Sequence, residues 1–200
     1  MLTVQETHLE GRFVDLRPLL PEDAPLTHGW RSGARARLLN QGAGTVAQQE
    51  AWIRSRPASE LNFIIQRKDG RPVGMLSLVG IDRVNRHAEP GRFLIGDEEA
   101  VRGIPAAVEA MKLLYQLAFD TLGLVRVYGT VAADNGRMAK WQRYLGMREE
   151  GRMRRHYFID GRFQDALMFA LLEEEYRAET LPRMEALIGI ARAAPGQETV

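Results

Sequence analysis

The sequence predicts an α+β domain of three layers, with helices on both faces of a central mixed, mostly antiparallel sheet. Runs of strand character recur at 13–18, 62–67, 72–81, 91–95, 124–131, 154–159 and 162–172. Helical periodicity replaces them at 110–122 and 135–144, between strands of the second half. Helices that join separated strands must cross a face of the sheet, which makes the sheet mixed and the domain layered.

Each element has a local reason. Phe13 to Pro18 alternate apolar and polar side chains, as a strand with one face on a core requires. Pro21-Glu22-Asp23-Ala24 reads as a helix start, because acidic residues in a first turn complement its exposed N–H groups, and that helix runs toward Trp30. Gly33, Gly42 and Gly44 break 31–45 into a loop with room for one helical turn. Thr45, with Gln48 and Gln49 following, caps a helix through Trp52 and Ile53 that stops at Pro57. Asp69-Gly70 favours the left-handed dihedrals of a hairpin turn between 62–67 and 72–81, and a polar connection, 82–87, leads to a third strand from Gly91 to Ile95. Ala110, Leu113, Leu114, Leu117, Ala118 and Leu122 share one helical face that Gly123 ends. A strand at 124–131 precedes a helix from Asn135 to Tyr144 that Gly146 stops, and Asp160-Gly161 turns a last hairpin. These elements fill one domain at 1–176. Residues 177–200 add a helical extension, with Leu181, Met184, Leu187, Ile188 and Ala191 at near-helical spacing, and a tail frayed from Pro195.

Composition narrows the function classes. The chain has 200 residues, 45% hydrophobic and 26% charged, enough for one large domain. Its 27 Lys and Arg against 26 Asp and Glu give a formal charge of +1, too little field for a nucleic-acid or anionic-membrane partner. With no cysteine and four scattered histidines (His8, His28, His87, His156), no metal site is expected. No apolar run approaches the roughly 20 residues that span a bilayer, and the N-terminus lacks a basic, apolar leader, so a cytoplasmic location is expected.

The loop from Asp97 to Val108 leaves a strand and enters the long helix, whose first N–H groups and dipole can hold a pyrophosphate without a basic side chain. Arg102-Gly103-Ile104-Pro105-Ala106-Ala107 there resembles the Q/R-x-x-G-x-G/A signature of the GNAT acyltransferase superfamily. Leu122 to Val127, Val131, Asn135, Leu145-Gly146-Met147, Glu150-Gly151-Arg152 and Asp160 to Asp165 resemble, in order and spacing, its branch of ribosomal-protein N-terminal, spermidine and amino-sugar-nucleotide acetyltransferases. Leu16-Arg17-Pro18 with Glu22-Asp23 matches it as well, so the resemblance covers 13 to about 176. It implies acetyl-CoA as acyl donor, held by Arg102, Gly103, Ile104, Ala106 and Ala107, with Asn135 contacting the pantetheine or, more simply, capping its helix. It also implies that backbone N–H groups of Phe93, Leu94 and Ile95 meet the thioester oxygen.

Two residues depart from the pattern. Pro105 replaces its first glycine and removes one N–H from the phosphate cradle. Gln142 stands where the tyrosine that protonates the departing thiolate is often found; Tyr144, Tyr128 and Tyr157 are the substitutes, with Tyr144 carried as the catalytic candidate. The two departures together also fit an acyl-CoA-binding domain without activity.

An amine acceptor is mostly ammonium at neutral pH, its pKa near about 10, so a base must take a proton first. Glu89 is the candidate and His87 the alternative. Arg31, Arg35 and Arg37, or Arg152, Arg154 and Arg155 beside His156, could bind a substrate phosphate or simply lie solvated. Trp30 and Trp52 read as core packing before ligand stacking, and Asp165 as structural. The expectation is N-acetyl transfer to a small-molecule primary amine, leaning to an amino-sugar nucleotide. A basic 28–58 segment speaks against spermidine, and N-terminal acetylation of a protein is the alternative. The Leu181 to Ala191 stripe is either a homodimer contact or a cap on the domain's own sheet.

Overall fold

The computed structural model describes residues 7–37, 39 and 42–191. The chain runs β1 (Val14–Pro18), α1 (Ala24–Ser32), α2 (Val46–Arg54), β2 (Leu61–Arg67), β3 (Pro72–Asp82), β4 (His87–Ile95), α3 (Ala106–Gln116), β5 (Arg126–Ala132), α4 (Gly136–Tyr144), β6 (Arg148–Ile159), β7 (Arg162–Leu172), a helical turn α5 (Glu173–Glu175) and α6 (Leu181–Ile190). The strands form one seven-stranded sheet ordered β1-β2-β3-β4-β5-β7-β6. Every neighbour pair is antiparallel except β4 with β5.

The core has two sides, and β2 shows why. Successive side chains on a strand alternate between faces, so Phe63 and Ile65 join one apolar cluster while Ile64 joins the other. The larger cluster packs α3 and the buried Met184 and Ile188 of α6 onto the sheet. The smaller one, with Ala24, Ile53, Met75 and Leu94, lies under α1 and α2. Trp30 belongs to that side and presses on Gly96, where a Cβ would come within 2.3 Å of the ring. The three predicted layers are therefore present, and the inner side of the α6 stripe is used within the chain.

Polar side chains fix the ends of these elements. The Arg17 guanidinium donates to both Asp23 oxygens at 2.8 and 2.7 Å, and Leu20 N–H donates to Asp23 at 2.9 Å, tying β1 to the start of α1. Thr45 caps α2 by accepting from Gln48 N–H at 3.2 Å. The buried Glu109 of α3 accepts the backbone N–H groups of Arg12, Phe13 and Val14 at 2.7 to 2.8 Å, so one carboxylate holds the entry to β1 against the long helix.

Three strand boundaries differ from the predicted ones by two residues or more. β4 begins at His87, not Gly91, because Asp82 accepts Val84 and Asn85 N–H at 2.8 and 2.7 Å and turns the chain within 83–86. β6 begins at Arg148, not Arg154; it is an edge strand with mostly exposed side chains, so no apolar alternation marks it. β5 starts at Arg126 rather than Leu124. The tail from Pro195 lies outside the described residues.

Glu109→Ala leaves three N–H groups unpaired where they are least hydrated, and is expected to cost roughly 3 kcal/mol or more of unfolding free energy, read from a denaturant midpoint.

Candidate active site

The parallel pair is nearly unmade. β4 and β5 are joined only at His87 with Arg126 and Ala88 with Val127, and no β5 residue pairs with β4 beyond that point. Two features of β4 separate them. Pro90 has no N–H to give a neighbour. Between the pairs Ser77 with Gly91 and Met75 with Leu94, β4 carries one extra residue, a bulge in which Arg92 takes the left-handed conformation at φ 54°. Beyond Ala88 and Val127 the facing edges of β4 and β5 border a gap.

Two adjoining cavities open along it. The smaller, about 410 Å³, is lined by Glu89 and 90–93 of β4, Thr130 of β5, Gln142 of α4, Tyr157 of β6, and Arg31, Gln49 and Trp52 from the helices of the opposite layer. The larger, about 940 Å³, runs from Phe93, Leu94 and Ile95 past Ile104 and Ala107 to Met138, Trp141 and Tyr144. Leu39, Phe93, Asn135 and Met138 line both.

Glu89 spans the gap. Its carboxylate accepts the Thr130 N–H and packs beside Gly129, where a Cβ would be in ordinary contact with it at 3.7 Å. Burial pushes its pKa above the ordinary carboxylate value, against the opposing pull of the Thr130 bond, Arg92 and His156. His87, the alternative base, sits edge-on to Tyr128 at 5.3 Å and lines neither cavity.

The tyrosines separate in the same way. Tyr157 faces Glu89's cavity and shares a 2.6 Å hydrogen bond with the Thr130 hydroxyl; burial first, then the charge of Glu89, raise its pKa against that bond, so its phenol holds its proton. Tyr144, 46% exposed, opens on the larger cavity instead, and Glu89 and Tyr144 are not brought together. Tyr128 lines neither. Gln142 lines the smaller cavity, and its Oε1 is buried with no hydrogen-bond partner among the described residues.

Of the residues assigned to the acyl donor, Phe93, Leu94, Ile95, Ile104, Ala107 and Asn135 line the larger cavity. Ala106 is buried as the first residue of α3, and Gly103 makes the turn before it at φ 82°. Arg102 does not line the cavity; it is exposed and paired with Glu99. Pro105 stands just ahead of α3 as its cap, with its carbonyl accepting from Glu109 N–H at 2.9 Å, so the missing N–H falls before the helix's own first donors at 106–108. Asn135 caps α4, accepting Met138 N–H at 3.1 Å. Sequence reasoning passed over Arg137 and Lys140, which line the larger cavity; their three-residue spacing after the Asn135 cap was the available signal.

The remaining basic residues sort by partner. Arg152 is paired with Asp165 at 2.8 Å, and Asp165 also accepts Arg155 N–H at 2.9 Å, which supports a structural duty for Asp165. Arg37 lies 3.5 Å from Asp160 across the turn between β6 and β7, while Arg31 lines the smaller cavity and the Arg35 side chain lies outside the described residues. Among the described residues no group of acids and histidines could hold a metal ion, and no helix is long and apolar enough to cross a membrane.

A layered α+β fold whose sheet parts at one parallel pair, with a helix N-terminus beside the opening, defines the acyltransferase class that the signature loop resembles. The family model for the acetyltransferase (GNAT) domain matches residues 14–148. The chain belongs to the GNAT acetyltransferase family. It is similar to the spermidine N(1)-acetyltransferase of Escherichia coli K12, 31% identical over 121 residues, 60% of this chain and 63% of that protein. The Vibrio cholerae spermidine N(1)-acetyltransferase is 27% identical over 118 residues, 59% and 66% of the two chains. These matches thus span under two thirds of the relatives' own length. The crystal structure of a GCN5-related N-acetyltransferase from Brucella melitensis superposes with a TM-score of 0.79 at 28% identity, over 96% of this chain and 90% of that one.

A carboxyl whose folded pKa is raised lends stability below its ordinary titration range and loses it as pH rises through the folded value. Glu89→Gln is therefore expected to raise the melting temperature at pH 8, with the gain shrinking as pH falls through the carboxylate range; thermal melts across pH check it.

Proposed function

We propose that this chain transfers the acetyl group of acetyl-CoA to the primary amine of a small molecule, both substrates being bound together. The observation that carries it is Glu89, a carboxylate made more basic by burial, facing a small cavity that meets a larger groove at the parted strands. Acetyl-CoA supplies an activated thioester when bound. The 940 Å³ groove, the first N–H groups of α3 and the cations Arg137 and Lys140 suit an extended donor that carries phosphates. Gly103, Ile104, Ala106 and Ala107 shape that helix entry, and Phe93, Leu94 and Ile95 line the groove beside the gap, where a strand N–H turned away from β3 suits the thioester oxygen.

Glu89 takes the proton of the ammonium, which frees the nitrogen lone pair for attack. Thr130 N–H holds the carboxylate in place while it does so. Tyr157, protonated and anchored to Thr130, faces the same cavity and is the tyrosine best set to return a proton to the thiolate, a duty first assigned to Tyr144. A thiol pKa of about 8.5 makes this donation a modest aid rather than a requirement.

The arginine-bearing α1–α2 segment favours an acceptor with phosphate, such as an amino-sugar nucleotide, over a polyamine, although the curated relatives just described are named for spermidine.

Acetyl-CoA at 100 times its dissociation constant should add about 2.7 kcal/mol of stability, seen as a thermal shift. Release of coenzyme A thiol against a panel of amines should then fall roughly a hundredfold or more in Glu89→Gln with acetyl-CoA binding kept, and less in Tyr157→Phe. The acid limb of kcat/KM should lie above the ordinary carboxylate value. Undiminished turnover in Glu89→Gln removes the assigned base, and no thermal shift with acetyl-CoA removes the function.

A further inference from the structure

Thr130 touches both groups assigned to move protons. Its backbone N–H is donated to the Glu89 carboxylate, and its hydroxyl lies 2.6 Å from the Tyr157 phenol, a bond in which either oxygen can give the proton. Base and acid are thus attached to one residue of β5, which lines the smaller cavity with them.

The approach of Tyr157 is built into the edge of the sheet. Between the pairs Met153 with Ala166 and Tyr157 with Gln164, β6 advances four residues while β7 advances two, so the edge strand bulges. Arg155 takes the left-handed conformation there, at φ 50°. Asp165 pins the bulge: one of its oxygens accepts Arg155 N–H at 2.9 Å and the other accepts Arg152 Nε–H at 2.8 Å. A bulge re-aims the side chains that follow it, and Tyr157 is the first paired residue beyond this one.

The direction of the shared proton decides what Tyr157 can do. If the phenol donates to Thr130, its proton is held inside the protein; if Thr130 donates, the phenol proton is left for the cavity. The phenol has one further approach, 3.5 Å to the Thr130 carbonyl, at the outer limit of hydrogen bonding. Donation from Thr130 also stabilises the phenolate that remains once the proton has gone. Burial raises the Tyr157 pKa, and the Thr130 bond opposes that rise while the charge of Glu89 adds to it.

Resting on the acetyl-transfer reading above, with Tyr157 as its acid, we propose that Thr130 is a positioning residue: its hydroxyl donates to the Tyr157 oxygen and turns the phenol proton toward the departing sulfur, while its N–H holds Glu89 for the ammonium. As the carbon–nitrogen bond forms and the carbon–sulfur bond breaks, the bonding pair stays on sulfur and the phenol proton joins it. The phenolate takes up the proton that the newly acylated nitrogen sheds, and the proton first taken by Glu89 leaves to water. The sum is an amide, a thiol and one proton released.

Thr130→Val deletes the hydroxyl and keeps the N–H, and Thr130→Ser restores a hydroxyl. Melting curves with and without acetyl-CoA show that each variant folds and binds the donor. Thiol release is then followed with spermidine, an amino-sugar nucleotide and an N-terminal peptide, and kcat and KM are taken with the amine used fastest. In Thr130→Val kcat should fall about three- to tenfold, the effect of one neutral hydrogen bond, with KM little changed, and Thr130→Ser should keep most of the wild-type kcat. The acid limb of the pH profile should stay in place, because the backbone bond to Glu89 persists. In a Tyr157→Phe background Thr130→Val should cost under about twofold, since both act through one phenol. No cost in Thr130→Val, a cost undiminished in that background, or an acid limb that moves overturns the proposal. Tyr157→Phe at the wild-type rate removes the acid on which it rests. Silence toward all three amines with a normal acetyl-CoA shift overturns the transfer step and the part of Thr130 in it, whereas the absence of any shift overturns the acetyl-CoA reading itself.

Discussion

The failure of β4 to stay paired with β5 is the constraint on which the rest of the site depends. A sheet that held its hydrogen bonds across this pair would be a closed wall with its backbone groups consumed. Here two residue pairs hold the strands at one end, and the extra residue at Arg92 turns β4 away at the other. Everything chemical gathers at the opening. Glu89 is the first residue past the last pair, so its side chain can cross to Thr130 N–H, a donor that a continuous ladder would have taken. The same bulge delivers Arg92 to the cavity wall. Left-handed backbone is unfavourable for a residue with a Cβ, and the bonds to Glu60 and Asn62 with the Trp52 contact are what offset it.

The opening is tolerated because the sheet is braced elsewhere. Apolar clusters on both faces fix β2, β3 and β4 between α1, α2 and α3, so the two halves do not need the missing ladder to stay in place. Arg17 with Asp23, and Glu109 with the strand entry, fasten helices to sheet by charge-assisted bonds at points far from the gap. On the opposite side β5 is secured by seven antiparallel pairs with β7, from Arg126 with Leu172 to Ala132 with Ala166. The molecule can therefore leave backbone groups unpaired at one place without loosening the whole.

Much of this was legible in the sequence where local rules dominate. Thr45 and Asn135 announce their helices because a short polar side chain meets an orphan N–H, and both cap as expected. The turns at Asp69-Gly70 and Asp160-Gly161 and the stop at Gly123 follow from left-handed dihedrals. Glu89 was reachable through the resemblance and the need for a base. Arg92 was not, because nothing in Gly91-Arg92-Phe93 distinguishes a bulge from plain strand; the extra residue shows only in the register against β3. The place of Tyr157 beside Glu89's cavity is hidden for a similar reason. Tyr157 lies two strands away from β5 in the sheet order, and only the long hairpin of β6 and β7 brings its hydroxyl to Thr130.

The charge state of Glu89 is set by the same bulge that opens the cavity. Burial raises its pKa, while the Thr130 N–H, Arg92 and His156 pull it back down. Arg92 exerts that pull from a left-handed backbone position, held there by its bonds to Glu60 and Asn62. The one extra residue in β4 therefore does two things at once: it parts the strands beside Glu89, and it sets a cation near the carboxylate that limits how far burial can raise it.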